Sequence, residues 1–540
     1  MKKWIAFALI AALALALAGC AKTPADESTP SGATPPESGI LRIAALSDMT
    51  TMDVAQTTND YFVPQNIFDR LFEVQVLEDG STEIVHSLCK NHTVSPDGLT
   101  YTFDLVENAT FSNGNPLTAS DVAYTFYRLL TAGGVNDDIA LEVAGAQALK
   151  DGTAQALSGI TVTGEHQLTV TLNAPNAGFL AELTAPAMSI VDEETCKSVE
   201  NFGMSVADTI GSGPYIVTEW VPNDHVTLVR NETYWGEKPS VEKVIKYIIP
   251  DANTQNLMFQ NGELDMIDLD HLDASIVTGT YQTNYASQLI SGRRVGLTYV
   301  AMNQSNEFLS NALVRKAIQM AVSRDVMLQS VYAGAGSLEN GIIPAGVWGH
   351  NEALAPIVYD PAQAQQLLTQ AGYAPGQITL ELSMDNTATS ATQMLYQILQ
   401  QDLQNIGIDA QIKSYDQSAW LDKRNSGSME LFISTWTMDY NDPANIMATF
   451  FGSAEKTKLR SLNYPDTQVL DRVAAASSIV DDSQRMAEYQ ALEEQIVHED
   501  AAWVPLFERA HLFAISSRVS SYTPHWAGYS DFYVKDVILK

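Results

Sequence analysis

An α/β protein of more than one domain is the fold class this sequence predicts, and three observations carry it. At 540 residues the chain is long enough for two or three separate cores. Its first half alternates short apolar–polar runs with turn residues, as antiparallel hairpins do. Its second half alternates helix-period segments with short strands. A composition of 46% hydrophobic and 17% charged residues is that of a globular chain, not of a disordered one or a membrane bundle.

The formal net charge is −34, and the acidic residues are spread along the chain. No basic stripe is present to displace counterions from phosphate, so nucleic acid is excluded as a partner. Self-repulsion on this scale keeps a protein soluble and apart from its neighbours, and a monomer is expected. At the start, Lys2 and Lys3 precede an apolar run from Trp4 to Ala18. The run is too short to span a bilayer comfortably and has the shape of an export signal, residues 1–19. Its end, Leu17-Ala18-Gly19-Cys20, resembles a bacterial lipobox, in which an acylated Cys20 becomes the first residue of the mature chain and holds it to the membrane. Export argues against cytosolic cofactors such as ATP or NAD, and no cofactor is expected. Residues 20–39 contain no large apolar side chain and read as a flexible linker. Cys89 and Cys196 could pair in an oxidising compartment or remain buried free thiols, and their separation in sequence does not decide between the two.

Taken in order, Ile40 to Leu46 reads as a buried strand and Gln65 to Phe72 as a helix. Ser95-Pro96-Asp97-Gly98 is a turn with a mechanism: proline fixes φ, aspartate caps, and glycine takes positive φ. It leads into the alternating strand Leu99 to Leu105. Thr118 followed by Asp121 marks a capped helix start. Ile160 to Thr163 and Leu168 to Leu172 form a hairpin, and Gly211-Ser212-Gly213-Pro214-Tyr215 feeds a strand through Val221. The glycines free the backbone there to approach something closely. Strands at Val226–Val229 and Val244–Ile249, a helix at Asn253–Gln260 and a turn into a strand at Gly262–Asp268 follow. The second half then offers helices at Asn311–Tyr332, Pro361–Ala371 and Thr389–Ile406, with strands at Ile408–Ile412 and Leu431–Ile433. A helix over Ser483–Val497 and closing strands at Trp503–Phe507 and Leu512–Ile515 complete the chain.

Ser434 to Pro443 is the most suggestive stretch. A strand exits into a polar loop closed by Asn441-Asp442-Pro443, since the residue before proline is pushed out of the helical region. Trp436 therefore stands three residues from Asp439 at a strand's carboxyl end, where ligands of α/β folds gather. An aromatic wall beside a carboxylate suits a ligand's ammonium group. Enzyme signatures are missing: there is no His-Glu-x-x-His, no Gly-x-Ser-x-Gly and no phosphate loop. The 64 acidic residues leave a glycosidase's paired carboxylates open, but no pair stands out. A non-enzymatic binding protein is expected.

Seven segments in order carry a family resemblance. They are Ser95 to Phe103, Phe111-Ser112-Asn113-Gly114 through Asp121, Gly211 to Tyr215, Asn231 to Trp235, Gly262 to Asp265, Val314 to Ile318, and Tyr359 to Tyr373. Together with the lipobox, they resemble the peptide/nickel class, family 5, of solute-binding lipoproteins of ABC importers, most of all the oligopeptide-binding members. The resemblance implies a two-lobed, periplasmic-binding-protein-like fold of class II, large type, with an additional inserted domain and a ligand cleft between lobes. The base of lobe I would be 40–72 with 205–298 and 500–540, its inserted domain 73–204, and lobe II 299–499, joined by two hinge crossovers. A peptide would be enclosed between lobes and handed to membrane permease subunits served by cytoplasmic ATPases. Residue by residue, Trp436-Thr437-Met438-Asp439-Tyr440-Asn441 matches the loop in which the family's acid pairs with the peptide's ammonium. The carry-over is Asp439 as amine anchor, Trp436 as pocket wall and Tyr440 beside them, with Phe62 near the first lobe's peptide-contacting backbone. An arginine that precedes this tryptophan in some members is absent, Phe432-Ile433-Ser434 standing there, and the loop's cysteine is replaced by Met438. The partner of the ligand's carboxyl end is thus unassigned. Other cargo of the same class (nickel chelate, haem, an opine or an oligosaccharide) and a peptide sensor without transport are the alternative functions.

Overall fold

Period-two alternation places the strands of this protein, and the turn residues between them decide which ones pair. A computed structural model describes residues 38–57, 60–77, 80–527 and 532–540. The expected signal peptide, Cys20 and nearly all of the linker lie outside the described residues. Among those described, no helix is long and apolar enough to cross a membrane. The strands that matter are β1 Ile40–Ala45, β2 Phe72–Val76, β3 Thr82–His86, β4 Cys89–Val94, β5 Thr100–Leu105, β6 Ile160–Gly164 and β7 Gln167–Thr171. They continue with β8 Tyr215–Val221, β9 His225–Arg230, β10 Lys243–Ile248, β11 Met266–Asp268, β12 Leu289–Met302 and β13 Gly336–Leu338. The last are β14 Ile378–Asp385, β15 Ile408–Tyr415, β16 Leu431–Thr437 and β17 Trp503–Ile515.

One four-stranded sheet has the order β1-β10-β9-β8 and a second the order β4-β5-β7-β6, while β2 pairs with β3. The second sheet carries the Ser95–Gly98 turn, where Gly98 has φ 70° and donates its N–H to Ser95. The helix Ala119–Thr131 packs beside it, and Thr118 with Asp121 forms the reciprocal cap that the sequence announces. Gly211 and Gly213 approach the backbone of Ile67 so closely that a Cβ at Gly211 would stand 1.9 Å from the Ile67 carbonyl oxygen. Their close approach therefore serves packing.

The seven-stranded sheet runs β11-β17-β12-β16-β14-β15, with β13 on β17. Strand β14 is parallel to both β15 and β16, and the other pairs are antiparallel. Alternation along β12 and β16 separates two cores. Leu297, Tyr299, Ala301 and Phe432 face one, and Val300, Met302, Leu431 and Ile433 the other. Strands β12 and β17 are 14 and 13 residues long and pair along most of their length, with register shifts between Arg294 and Tyr299.

Four elements differ from expectation. The first helix is Phe62–Ile67, and Phe72 already opens β2. The helix expected over 311–332 is two, Ala312–Ala321 and Arg324–Tyr332. Asp402 breaks it by accepting from both the amide and the hydroxyl of Ser323, at 2.8 and 2.7 Å. Strand β16 extends to Thr437, so Trp436 stands on the strand and not in the turn. The two closing strands are one, β17, continuing through Pro505. Of the two alternatives for the cysteines, the structure has free thiols: Cys89 and Cys196 are both buried and unbonded.

Candidate functional site

The register of β16 on β12 builds the site. Trp436 lies opposite Leu297, and Ser434 opposite Tyr299, on the face that carries the helix Ala444–Phe451. Trp436 packs edge-on against Phe450, ring centroids 5.4 Å apart. The loop beyond is bolted down from three sides. Buried Asp442 caps that helix through the Ala444 amide and pairs with buried Arg485 at 2.6 Å. Asn441 accepts from the Trp348 amide and donates to Thr82. Proline at 443 then starts the helix with its φ already set.

Asn445 joins the two residues that the sequence singles out. Its side-chain oxygen accepts from Trp436 Nε1 at 2.8 Å and from the Asp439 amide at 3.3 Å, and its Nδ2 donates to Asp439 Oδ2 at 3.2 Å. Trp436 and Asp439 remain half-buried while Asn445 is fully buried, so the clamp is internal and its clients face the surface of the site. Tyr440 is half-buried as well. Burial raises its phenol well above the ordinary value, and the charges of Glu182, Asp442, Glu142 and Asp138 push the same way. The hydroxyl stays neutral beside these acids.

Arg460 is the residue that sequence reasoning missed. Its guanidinium lies 5.0 Å over the Trp436 ring and 5.3 Å over Phe450. Burial lowers its pKa, against the pull of Tyr299 and Asp439. Arg424, 5.5 Å over Trp420, is likewise lowered by burial and next by the charge of Arg460. Arginine cannot lose its proton, so both remain cations. Among the described residues neither forms an ion pair. The signal that could have found Arg460 is weak, because it lies 24 positions after Trp436, beyond two intervening helices, Ala444–Phe451 and Ala454–Leu459.

Phe62 stands apart. Its ring is fully buried in the core around β1 and β10, with Lys246 Nζ 4.4 Å over it. Its amide donates to Asp60 and its carbonyl accepts from Asn66, so its ring and backbone are all engaged internally. The sequence expectation set Phe62 near the ligand; the structure places its ring in the core. Cavities of about 290–530 Å³ open elsewhere, including one lined by Glu73, His525 and Lys535 and one by Asp53, Arg128 and Phe202.

A carboxylate and an aromatic face, with a desolvated cation in electrostatic reach, can hold a small zwitterion by both ends. Comparison with known proteins gives the chain a family. A sequence model of the bacterial extracellular solute-binding proteins, family 5 (middle), matches residues 83–458. The chain is 26% identical to heme-binding protein A of Haemophilus influenzae over 486 residues, 87% of this chain and 86% of that one. It is 27% identical to a probable D,D-dipeptide-binding periplasmic protein of Escherichia coli over 493 residues, 89% and 91% of the two chains. A solved structure, the ABC transporter-associated periplasmic binding protein DppA from Helicobacter pylori in complex with peptide STSA, superposes with a TM-score of 0.74. Its identity is 26%, with 93% of this chain and 98% of that one covered. The fold is the mixed α/β, two-lobed class II fold of such binding proteins.

Proposed function

Because the chain belongs to the family 5 bacterial extracellular solute-binding proteins, we propose that it captures peptides between two lobes and delivers them to an ABC importer permease. The observation that carries the peptide reading is the Asn445 clamp, which fixes an ammonium acceptor, Asp439, beside an aromatic wall, Trp436. Arg460 supplies the complementary charge for the carboxyl end, and Tyr440 a neutral hydroxyl at the rim. Residues 299–499 form the second lobe in this reading, and 40–72, 205–298 and 500–540, with 73–204 inserted, the first. The register shifts on β12 and β17 are the hinge, and closure is driven by the ligand's greater affinity for the closed state. The protein acts as a monomer, held to the membrane through lipid on Cys20.

Titration calorimetry of short peptides with free and N-acetylated amino ends tests the ammonium role. Acetylation is expected to remove measurable binding; equal affinities would refute Asp439 as the amine anchor. One relative is named for haem, and two arginines without carboxylate partners among the described residues would also suit its propionates. A Soret band in the protein as purified would favour that cargo over peptides.

A further inference from the structure

Outside the ligand site, β3 and β4 bring together two histidines and a cysteine that the transport function does not use. His86 ends β3, Cys89 begins β4, and His92 follows three residues later. Strict alternation would put Cys89 and His92 on opposite faces. The register shift between Cys89 and Asn91 instead sets them opposite Leu105 and Phe103, two positions of one face of β5. His86 lies across from Phe72 on β2, and the Phe72 ring backs both imidazoles at 5.4 and 5.5 Å. His86 Nε2 and His92 Nδ1 consequently face each other at 3.0 Å, and a nitrogen of each ring and the Cys89 sulfur all lie within 4.8 Å of one another.

We infer that His86, Cys89 and His92 form a binding site for a borderline-soft divalent metal, with zinc the best fit. A tetrahedral zinc with bonds of about 2.0–2.1 Å to nitrogen and about 2.3 Å to sulfur needs donor atoms about 3.3–3.6 Å apart. The three donor atoms, all within 4.8 Å of one another, lie within about 1.5 Å of that spacing. Two imidazoles and one thiolate select zinc, or its spectroscopic substitute cobalt, over calcium or magnesium, which demand oxygen. Exposed His86 and half-buried His92 form the entry, with the buried sulfur as floor. Three protein donors leave a fourth position for water or an outside ligand. Binding requires the Cys89 S–H, which now donates to the Asn91 carbonyl, to release its proton to solvent as the sulfur–metal bond forms.

The purified protein, stripped with chelator and reloaded with zinc, tests this by metal analysis after desalting. Cobalt loading reads the sulfur separately, through its thiolate-to-metal charge-transfer absorption. The expected result is one zinc per chain, a cobalt charge-transfer band that disappears in Cys89→Ser, and at least about tenfold weaker zinc binding in His86→Ala. His86 is exposed, so its variant should keep the unliganded melting temperature while losing the upward shift that zinc gives the native chain. Substoichiometric zinc, a band that survives Cys89→Ser, or unchanged zinc affinity in His86→Ala would each overturn the site.

Discussion

At the scale of residues the account rests on Asp439. Its carboxylate is oriented by Asn445 and sits in the field of Arg460. Once a ligand's ammonium group is enclosed against it, removing the acid leaves a buried charge unpaired, at about 3–5 kcal/mol. The whole affinity of a micromolar complex is only about 8 kcal/mol. Asp439→Ala should therefore weaken peptide binding by at least about a hundredfold in calorimetry, with far-ultraviolet circular dichroism unchanged. Near-native affinity would remove Asp439 from the site. Asp439 and Trp436 were legible in the sequence as candidates, because residue type and the strand-end turn both marked them. Asn445 and Arg460 were not. An asparagine inside a helix and an arginine after one carry no local signal, and only the folding of 444–460 back over β16 gives them a role.

At the scale of elements, hairpins and caps were readable because each is a local rule: Ser95–Gly98 turns, and Thr118 with Asp121 caps. The failures all involve partners distant in sequence. Asp402 splits a helix from 79 residues away, and β12 carries β16 four residues past its expected end. Glu493 is another such partner. At the end of the helix Asp482–Glu493 it accepts from the amides of Ile342 and Ile343, tying that helix to a loop 150 residues earlier. Burial pushes its carboxyl up to about 7, the two amides pulling it back only in part. The folded value lies above the ordinary one of about 4.3, so the folded state holds the proton more tightly. Its stabilising effect is complete below the unfolded value and is lost as pH rises through about 7, a change of about 3 kcal/mol. Glu493→Gln cannot ionise. Its melting temperature relative to the native chain should rise between pH 5 and pH 8, and a gap constant with pH would show that Glu493 does not titrate in the fold.

At the scale of the molecule, strand β12 continues through the proposed boundary between lobes, residues 298 and 299 being consecutive in it, while its register against β17 shifts there. The proposed boundary thus falls within paired strands, which hydrophobic periodicity cannot report. Export and anchoring belong to this scale as well. Cys20→Ser should shift the protein from the membrane fraction to the soluble exported fraction, measured by immunoblot; an unchanged distribution would argue against acylation at Cys20. Cargo is the question on which every part of the functional account converges, and native mass spectrometry of the protein as purified addresses it most directly. The account predicts bound species with a ladder of short-peptide masses, lost in Asp439→Ala. A single mass corresponding to haem, a metal chelate or a sugar would contradict it.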